Sequence, residues 1–259
     1  MKKRNIFIIL LALCGCTQNK NLDTKLSITT IQEQFIVPTC APEMLHITGT
    51  YCTQVIQLCK SYMEPPETTP FARCLEFNKS KCIGKNVEMN FCIDKEEYFN
   101  PIDRIPLSNV SWTIAKSLCE KQNKRLCSEP EWNFACEGEE IYPYTTGYSR
   151  PSKQCNIDTV KDIICNNGLC DHRNSVVQNP ECLSPFGVHN MSGNVDEWVE
   201  VPKYQHSKIP DLWMRSSLKG GHWLPVRNRC RPKTDDHDES FHQISVGFRC
   251  CKDSDDLLK

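Results

Sequence analysis

Residues 190–198 read NMSGNVDEW, and the interpretation of the whole chain turns on them. Two further pieces follow at short intervals, KGGHW at 219–223 and VGFRCC at 246–251. Between these two lies LPVRNRC at 224–230, which contains one cysteine. The last piece is strand-like, so the neighbours Cys250 and Cys251 point to opposite faces and can reach different partners.

Upstream of this set two helices can be placed. Ser111 can cap a helix over 112–122, with Ile114, Ala115, Leu118 and Cys119 on one face. Ser128 opens a second helix that ends near Gly138. Glu131 completes a capping box, Pro130 sits in the first turn, and Trp132 and Cys136 share the buried face. From Cys40 to Cys92 six cysteines punctuate short strand-like pieces and the turn-rich EPPETTP at 64–70. Six cysteines allow fifteen connectivities, and spacing does not choose among them.

The chain has 259 residues and 18 cysteines. A basic cluster at Lys2, Lys3 and Arg4 precedes the apolar run 6–13, which is too short to span a bilayer but has the length of a signal-peptide core. LCGC at 13–16 resembles a bacterial lipobox, with Cys16 the lipidated residue; Cys14 has bulky Leu13 immediately before the cut. Thr17 in place of Asp suits outer-membrane delivery in a Gram-negative host. With Cys14 lost and Cys16 acylated, sixteen cysteines remain, enough for eight disulfides in an oxidising compartment. No CxxC pair occurs, which argues against structural zinc.

Formal net charge is −1, and removal of the three basic leader residues takes it to about −4. No basic patch is present to hold nucleic acid. The expected organisation is a leader at 1–16, a polar tether at 17–34, a cysteine-rich elaboration at 35–88, one domain at 89–252 and a tail at 253–259. The acidic run 234–239 reads as a solvated loop. His237, Asp238 and His242 nearby could chelate a metal, but nothing in the sequence sets their geometry.

The three opening motifs, preceded in order by FCIDKEE at 91–97, VSWTIA at 110–115, KRLCSEPEW at 124–132 and YPY at 142–144, resemble those of the formylglycine-generating enzymes, or sulfatase-modifying factors. The resemblance implies an α+β, disulfide-rich fold of low regular secondary structure related to C-type lectins. It implies two disulfides, Cys119–Cys250 and Cys136–Cys230, and calcium held by oxygens. One calcium site would use the Asn190 and Glu197 side chains with the Gly193 and Val195 carbonyls; capping of local turns is the alternative role for Asn190 and Glu197. A second site would use Asn156, the Ile157 carbonyl and Asp171. The adjacent Cys250 and Cys251 also invite a redox reading; the expected account is structural pairing of Cys251, with Cys127, where the family usually has proline, as the candidate partner.

The family's oxidase chemistry uses copper on two thiolates, the soft ligands Cu(I) prefers. By the resemblance the first thiolate falls near Pro225, and the second lies in a segment this chain lacks. Asp196 replaces a tryptophan of the GNxWEW motif, and His222 replaces the serine after the glycine pair. Copper is therefore not expected, and the groove residues Asp196, His222 and Pro225 mark where other chemistry could stand. His222 with Asp196 and Glu197 could do acid–base work or bind a metal, or form a satisfied polar network. The sequence thus points to a lipid-anchored cell-envelope protein whose calcium-supported domain binds a protein or glycan. The alternative is an oxidoreductase of the formylglycine-generating type, or another metal-dependent activity in the same groove.

Overall fold

The computed structural model describes residues 40–69, 72–165, 168–202 and 215–254. The leader, Cys16 and the tether lie outside these. In chain order the elements are β1 (Met44–Cys52), β2 (Val55–Ile56), β3 (Cys59–Tyr62), β4 (Cys74–Phe77), β5 (Lys81–Cys82), β6 (Asn86–Asp94), α1 (Trp112–Glu120), β7 (Arg125–Leu126) and α2 (Glu129–Glu137). Then come β8 (Ile164–Cys165), β9 (Gly168–Leu169), β10 (Asp196–Glu200), β11 (Ser216–Lys219), β12 (Lys233–Thr234), β13 (Val246–Phe248) and β14 (Cys250–Asp253).

Two four-stranded sheets organise the chain, in the orders β1-β6-β14-β7 and β12-β11-β10-β13. In the first, β1 and β6 pair antiparallel from Met44 opposite Asp94 to Cys52 opposite Asn86. The expected division between 88 and 89 falls inside β6, which this pairing joins to β1. At the other end, β14 includes Asp253, the first residue of the expected tail.

Both helix starts follow from side-chain hydroxyls meeting unpaired backbone N–H groups. Ser111 accepts from the Ile114 N–H. Ser128 accepts from the Glu131 N–H while the Glu131 carboxylate accepts from the Ser128 N–H, closing the capping box. The expected α1 face is rotated: Trp112, Ala115 and Cys119 are buried, whereas Ile114 is 51 % exposed. Trp112, three residues ahead of Ala115, anchors that face by donating its indole N–H to the Val199 carbonyl (3.1 Å). The helix also stops at Glu120, two residues short of the expected end.

Sixteen cysteines form eight disulfides. Cys119–Cys250, Cys136–Cys230 and Cys127–Cys251 are all present. The six amino-terminal cysteines pair as nested links, Cys40–Cys92, Cys52–Cys82 and Cys59–Cys74. They staple the ladder that begins with β1·β6 and continues through the β2·β5 and β3·β4 pairs. Cys155–Cys182 and Cys165–Cys170 complete the set.

Alternation along β14 divides the core. Cys250 packs with Trp112, Ala115, Cys119, Trp198 and Phe248. Cys251 packs with Ile93, Cys127, Trp132, Phe134 and Met191. Full burial of side chains of this size stabilises by roughly 1.5–3 kcal/mol each, so both clusters are well able to fix the loops that follow.

Candidate functional site

The turn 190–194 is built from residues that tolerate the left-handed region. Asn190, Gly193 and Asn194 have φ of 58°, 93° and 62°. Gly193 is required twice over: a Cβ there would lie 2.3 Å from Ile157 Cγ2 and 2.4 Å from the Asn156 carbonyl oxygen. This contact places the two expected calcium sites side by side. The Asn194 N–H donates to the Asn156 carbonyl (2.9 Å), and Asn156 Nδ2 donates to Asn194 Oδ1 (3.0 Å).

At the centre of this turn stands a residue that the sequence reading did not single out, Glu97, which is 1 % exposed. Its Oε2 accepts from Asn190 Nδ2 (3.0 Å) and its Oε1 from Asn194 Nδ2 (2.8 Å). No basic side chain pairs with it among the described residues, and burial pushes its carboxyl up to about 7. Asn190 Oδ1 is buried and has no hydrogen-bond partner. An unpaired buried carboxylate beside an orphaned amide oxygen fits a hard cation.

Glu197 is differently placed. It takes both Arg249 Nε and Nη2 at 2.7 Å and the Trp132 indole N–H at 2.8 Å. Arg249 and Glu197 are fully buried, so this carboxylate is already neutralised. In the second group Asn156 Nδ2 also donates to the His172 carbonyl (2.8 Å). Asp171 receives Arg173 Nε and Nη2 at 2.8 and 2.7 Å, and that guanidinium holds its carboxyl below the usual range.

The Pro225 segment lines a cavity of about 650 Å³. The opposite wall comes from the β3·β4 hairpin with the Cys59–Cys74 disulfide, and Tyr144 and Phe77 contribute aromatic surface. Asp196 reaches this wall through Arg227, accepting from its Nη2 (2.6 Å) and from the Gly221 N–H (3.0 Å). His222 is half-buried, and the loss of water pushes its ring below the ordinary histidine value; its carbonyl accepts from Asn228 Nδ2 (2.6 Å). Asp196 and Glu197 are successive residues of β10 and face opposite sides, so no His222–Asp196–Glu197 group is assembled. His237 stacks on Phe241 at 3.7 Å and His242 hydrogen-bonds Asn109, and no His/Cys/Asp/Glu metal cluster occurs among the described residues.

Comparison with known proteins matches residues 67–254 to the sulfatase-modifying factor enzyme 1-like domain. The formylglycine-generating enzyme of Mus musculus is 26 % identical over 165 residues, covering 57 % of this chain and 44 % of the mouse protein. The inactive C-alpha-formylglycine-generating enzyme 2 of Bos taurus is 28 % identical over 158 residues, covering 56 % and 49 %. The chaperone protein LppX of Paenibacillus barcinonensis is 27 % identical over 183 residues, covering 65 % and 62 %. The chain thus spans less than half the length of the mouse enzyme. Among solved structures, PvdO from Pseudomonas aeruginosa superposes with a TM-score of 0.50 at 17 % identity, covering 84 % of this chain and 96 % of PvdO, a likeness of fold. Eight disulfides suit a compartment outside the cytoplasm, and on the match over 67–254 the chain belongs to the sulfatase-modifying factor (formylglycine-generating enzyme) family.

Proposed function

We propose that this protein is a lipid-anchored cell-envelope module that binds a partner through the family's groove and does not carry out the family's cysteine oxidation. One observation carries this reading. All sixteen described cysteines are in disulfides, and the two sulfurs that line the Pro225 cavity, Cys59 and Cys74, are bonded to each other. Cu(I) chemistry needs thiolates, and a sulfur committed to a disulfide is not one. Asp196 and His222 are committed to local hydrogen bonds, which agrees with a binding surface.

The anchor rests on LCGC at 13–16 with Cys16 acylated, and places the domain on the cell envelope, at the outer membrane in a Gram-negative host. Calcium is the cation proposed for the 190–197 turn, with Asn190 Oδ1 and the Gly193 and Val195 carbonyls as ligands. Glu97 joins them as the carboxylate in place of Glu197, whose oxygens hold Arg249. Oxygen-only coordination of this kind suits a hard ion that tolerates irregular geometry, and its role here is to lock the turn. The groove's partner is a protein or glycan.

A second reading has a specific observation behind it, the position of Cys59–Cys74 in the cavity wall. If that link opens, two thiols would stand beside Pro225, and oxidase chemistry would regain its ligands. Thiol titration of the mature, non-reduced protein in denaturant, with Cu(I) titration of the native protein before and after mild reduction, separates the two. No titratable thiol and no copper uptake in either state are expected. Stoichiometric copper uptake that is lost in Cys59→Ser would replace the binding reading with the oxidase.

A further inference from the structure

Four guanidinium groups, those of Arg73, Arg150, Arg227 and Arg229, line the Pro225 cavity. Three are compensated. Arg150 is paired with Asp158 (2.6 Å), Arg227 with Asp196 (2.6 Å), and Arg73 with Glu64. Arg229 differs: among the described residues it has neither a carboxylate partner nor a side-chain hydrogen bond, and its guanidinium lies 5.2 Å from the centre of the Phe77 ring. Arg227 adds a second unspent donor, because its Nε is buried and has no partner.

A half-buried guanidinium with idle donors is costly to hold unless something supplies the counter-charge. The cavity is open enough to admit it. Burial and the neighbouring Arg150 push Arg229 below the ordinary arginine value, the direction a missing anion would leave. Apart from Gln57 the rest of the wall is largely apolar, with Phe77 and Tyr144 inside and Leu58 and Tyr62 at the mouth, 62 % and 45 % exposed. A volume of about 650 Å³ is that of a small-molecule pocket.

Resting on the binding-module reading above, we infer that, within the groove that takes the protein or glycan partner, this cavity takes a singly charged organic oxyanion, a carboxylate or sulfate ester on an apolar or aromatic body. The oxyanion sits against the Arg229 guanidinium, and the body lies against Phe77, Tyr62 and Leu58. The fork of an arginine matches two oxygens of such a group. The charge count sets the preference: four guanidiniums against Glu64, Asp158 and Asp196 leave one positive charge, which selects a singly charged head and gives no stripe for a polyanion.

The test uses the non-reduced protein with three probes of similar body, namely benzoate, phenyl sulfate and benzyl alcohol, followed by ligand-observed NMR and calorimetry. Benzoate or phenyl sulfate should bind, weaken as salt rises, and lose roughly tenfold or more in Arg229→Gln, the scale of a charged hydrogen bond. Arg229→Lys should recover part of the loss. Leu58→Glu, at an exposed position that leaves the core intact, should abolish binding of the anions. Equal binding of benzyl alcohol, no binding of either anion, or an Arg229→Gln affinity equal to that of the unaltered protein would overturn the inference. Copper uptake in the thiol experiment would overturn the binding-module reading while leaving these probe results to stand by themselves.

Discussion

The two links that close on β14 should not behave as two independent staples. Cys119–Cys250 and Cys127–Cys251 are separated by 131 and 124 residues along the chain, but Cys136–Cys230 already shortens the path, so each alone closes a ring of roughly 30–40 residues and restricts the unfolded chain by about 4 kcal/mol. Once one is in place, however, the other closes a ring of only about ten residues, running from Cys119 to Cys127 and returning through Cys250 and Cys251. Chain entropy then gives it roughly 3 kcal/mol. Paired replacement Cys127→Ala/Cys251→Ala should therefore cost about 3 kcal/mol, Cys119→Ala/Cys250→Ala about the same, and the fourfold variant about 7 kcal/mol. All four side chains are fully buried, so the small voids left by alanine recur in single and combined variants and largely cancel in the cycle. Urea unfolding under non-reducing conditions reads these values, provided the m-value is followed with the midpoint, because loss of a crosslink expands the unfolded state. Strict additivity, with each pair costing about 4 kcal/mol and the fourfold variant about 8, would refute the shared-ring argument.

Three further expectations follow from the polar interior. Calcium should raise the melting temperature of the unaltered protein and chelator should reverse it, whereas Glu97→Gln should melt at one temperature with and without calcium; a retained calcium shift in that variant would return the ligand role to another carboxylate. Glu197→Ala is the poorer probe of calcium, since it strands buried Arg249 and should cost about 3–5 kcal/mol under all conditions, read by urea unfolding in excess chelator; a loss below about 1 kcal/mol would mean the pair is not sealed from water. Lys219 is fully buried and pushed from its ordinary 10.5 down to about 7, so between these values the unfolded chain binds its proton and the native chain does not. Stability from this group is present in full above about pH 10.5, falls as pH drops toward 7, and should be absent from the pH profile of Lys219→Met; identical profiles would show that Lys219 is solvated.

What could be read in advance and what could not divides by the range of the interactions. Ser111 and Ser128 announce helix starts because a cap is a contact over three residues, fully contained in the sequence window. The neighbours Cys250 and Cys251 could be sent to opposite faces for the same reason: alternation on a strand is local, and the structure puts them in different core clusters. Rotation of the α1 face was not local. Whether Ile114 or Trp112 turns inward depends on Val199, 87 residues away, whose carbonyl receives the Trp112 indole. Likewise the fifteen connectivities of the amino-terminal cysteines collapse to one only when β1 finds β6, a register that fixes Cys52 near Cys82 and Cys59 near Cys74 in turn.

Glu97 makes the argument sharpest for the candidate site. In the sequence it is the second of two glutamates at the end of a strand-like motif, and its neighbour Glu96 is indistinguishable from it by type or spacing. Only the fold separates them, by bringing Asn190 and Asn194 onto the Glu97 carboxylate from 93 and 97 residues away, while Glu96 lies 3.5 Å from His189. The Arg229 cavity was invisible for the same cause, being assembled from a hairpin at one end of the chain and a loop near the other. Motifs reveal the scaffold because each motif is short. Charge compensation is a sum over segments that only the folded chain brings together, and among the described residues that sum leaves Glu97 at the turn and Arg229 in the groove without a counter-charge in ion-pair reach.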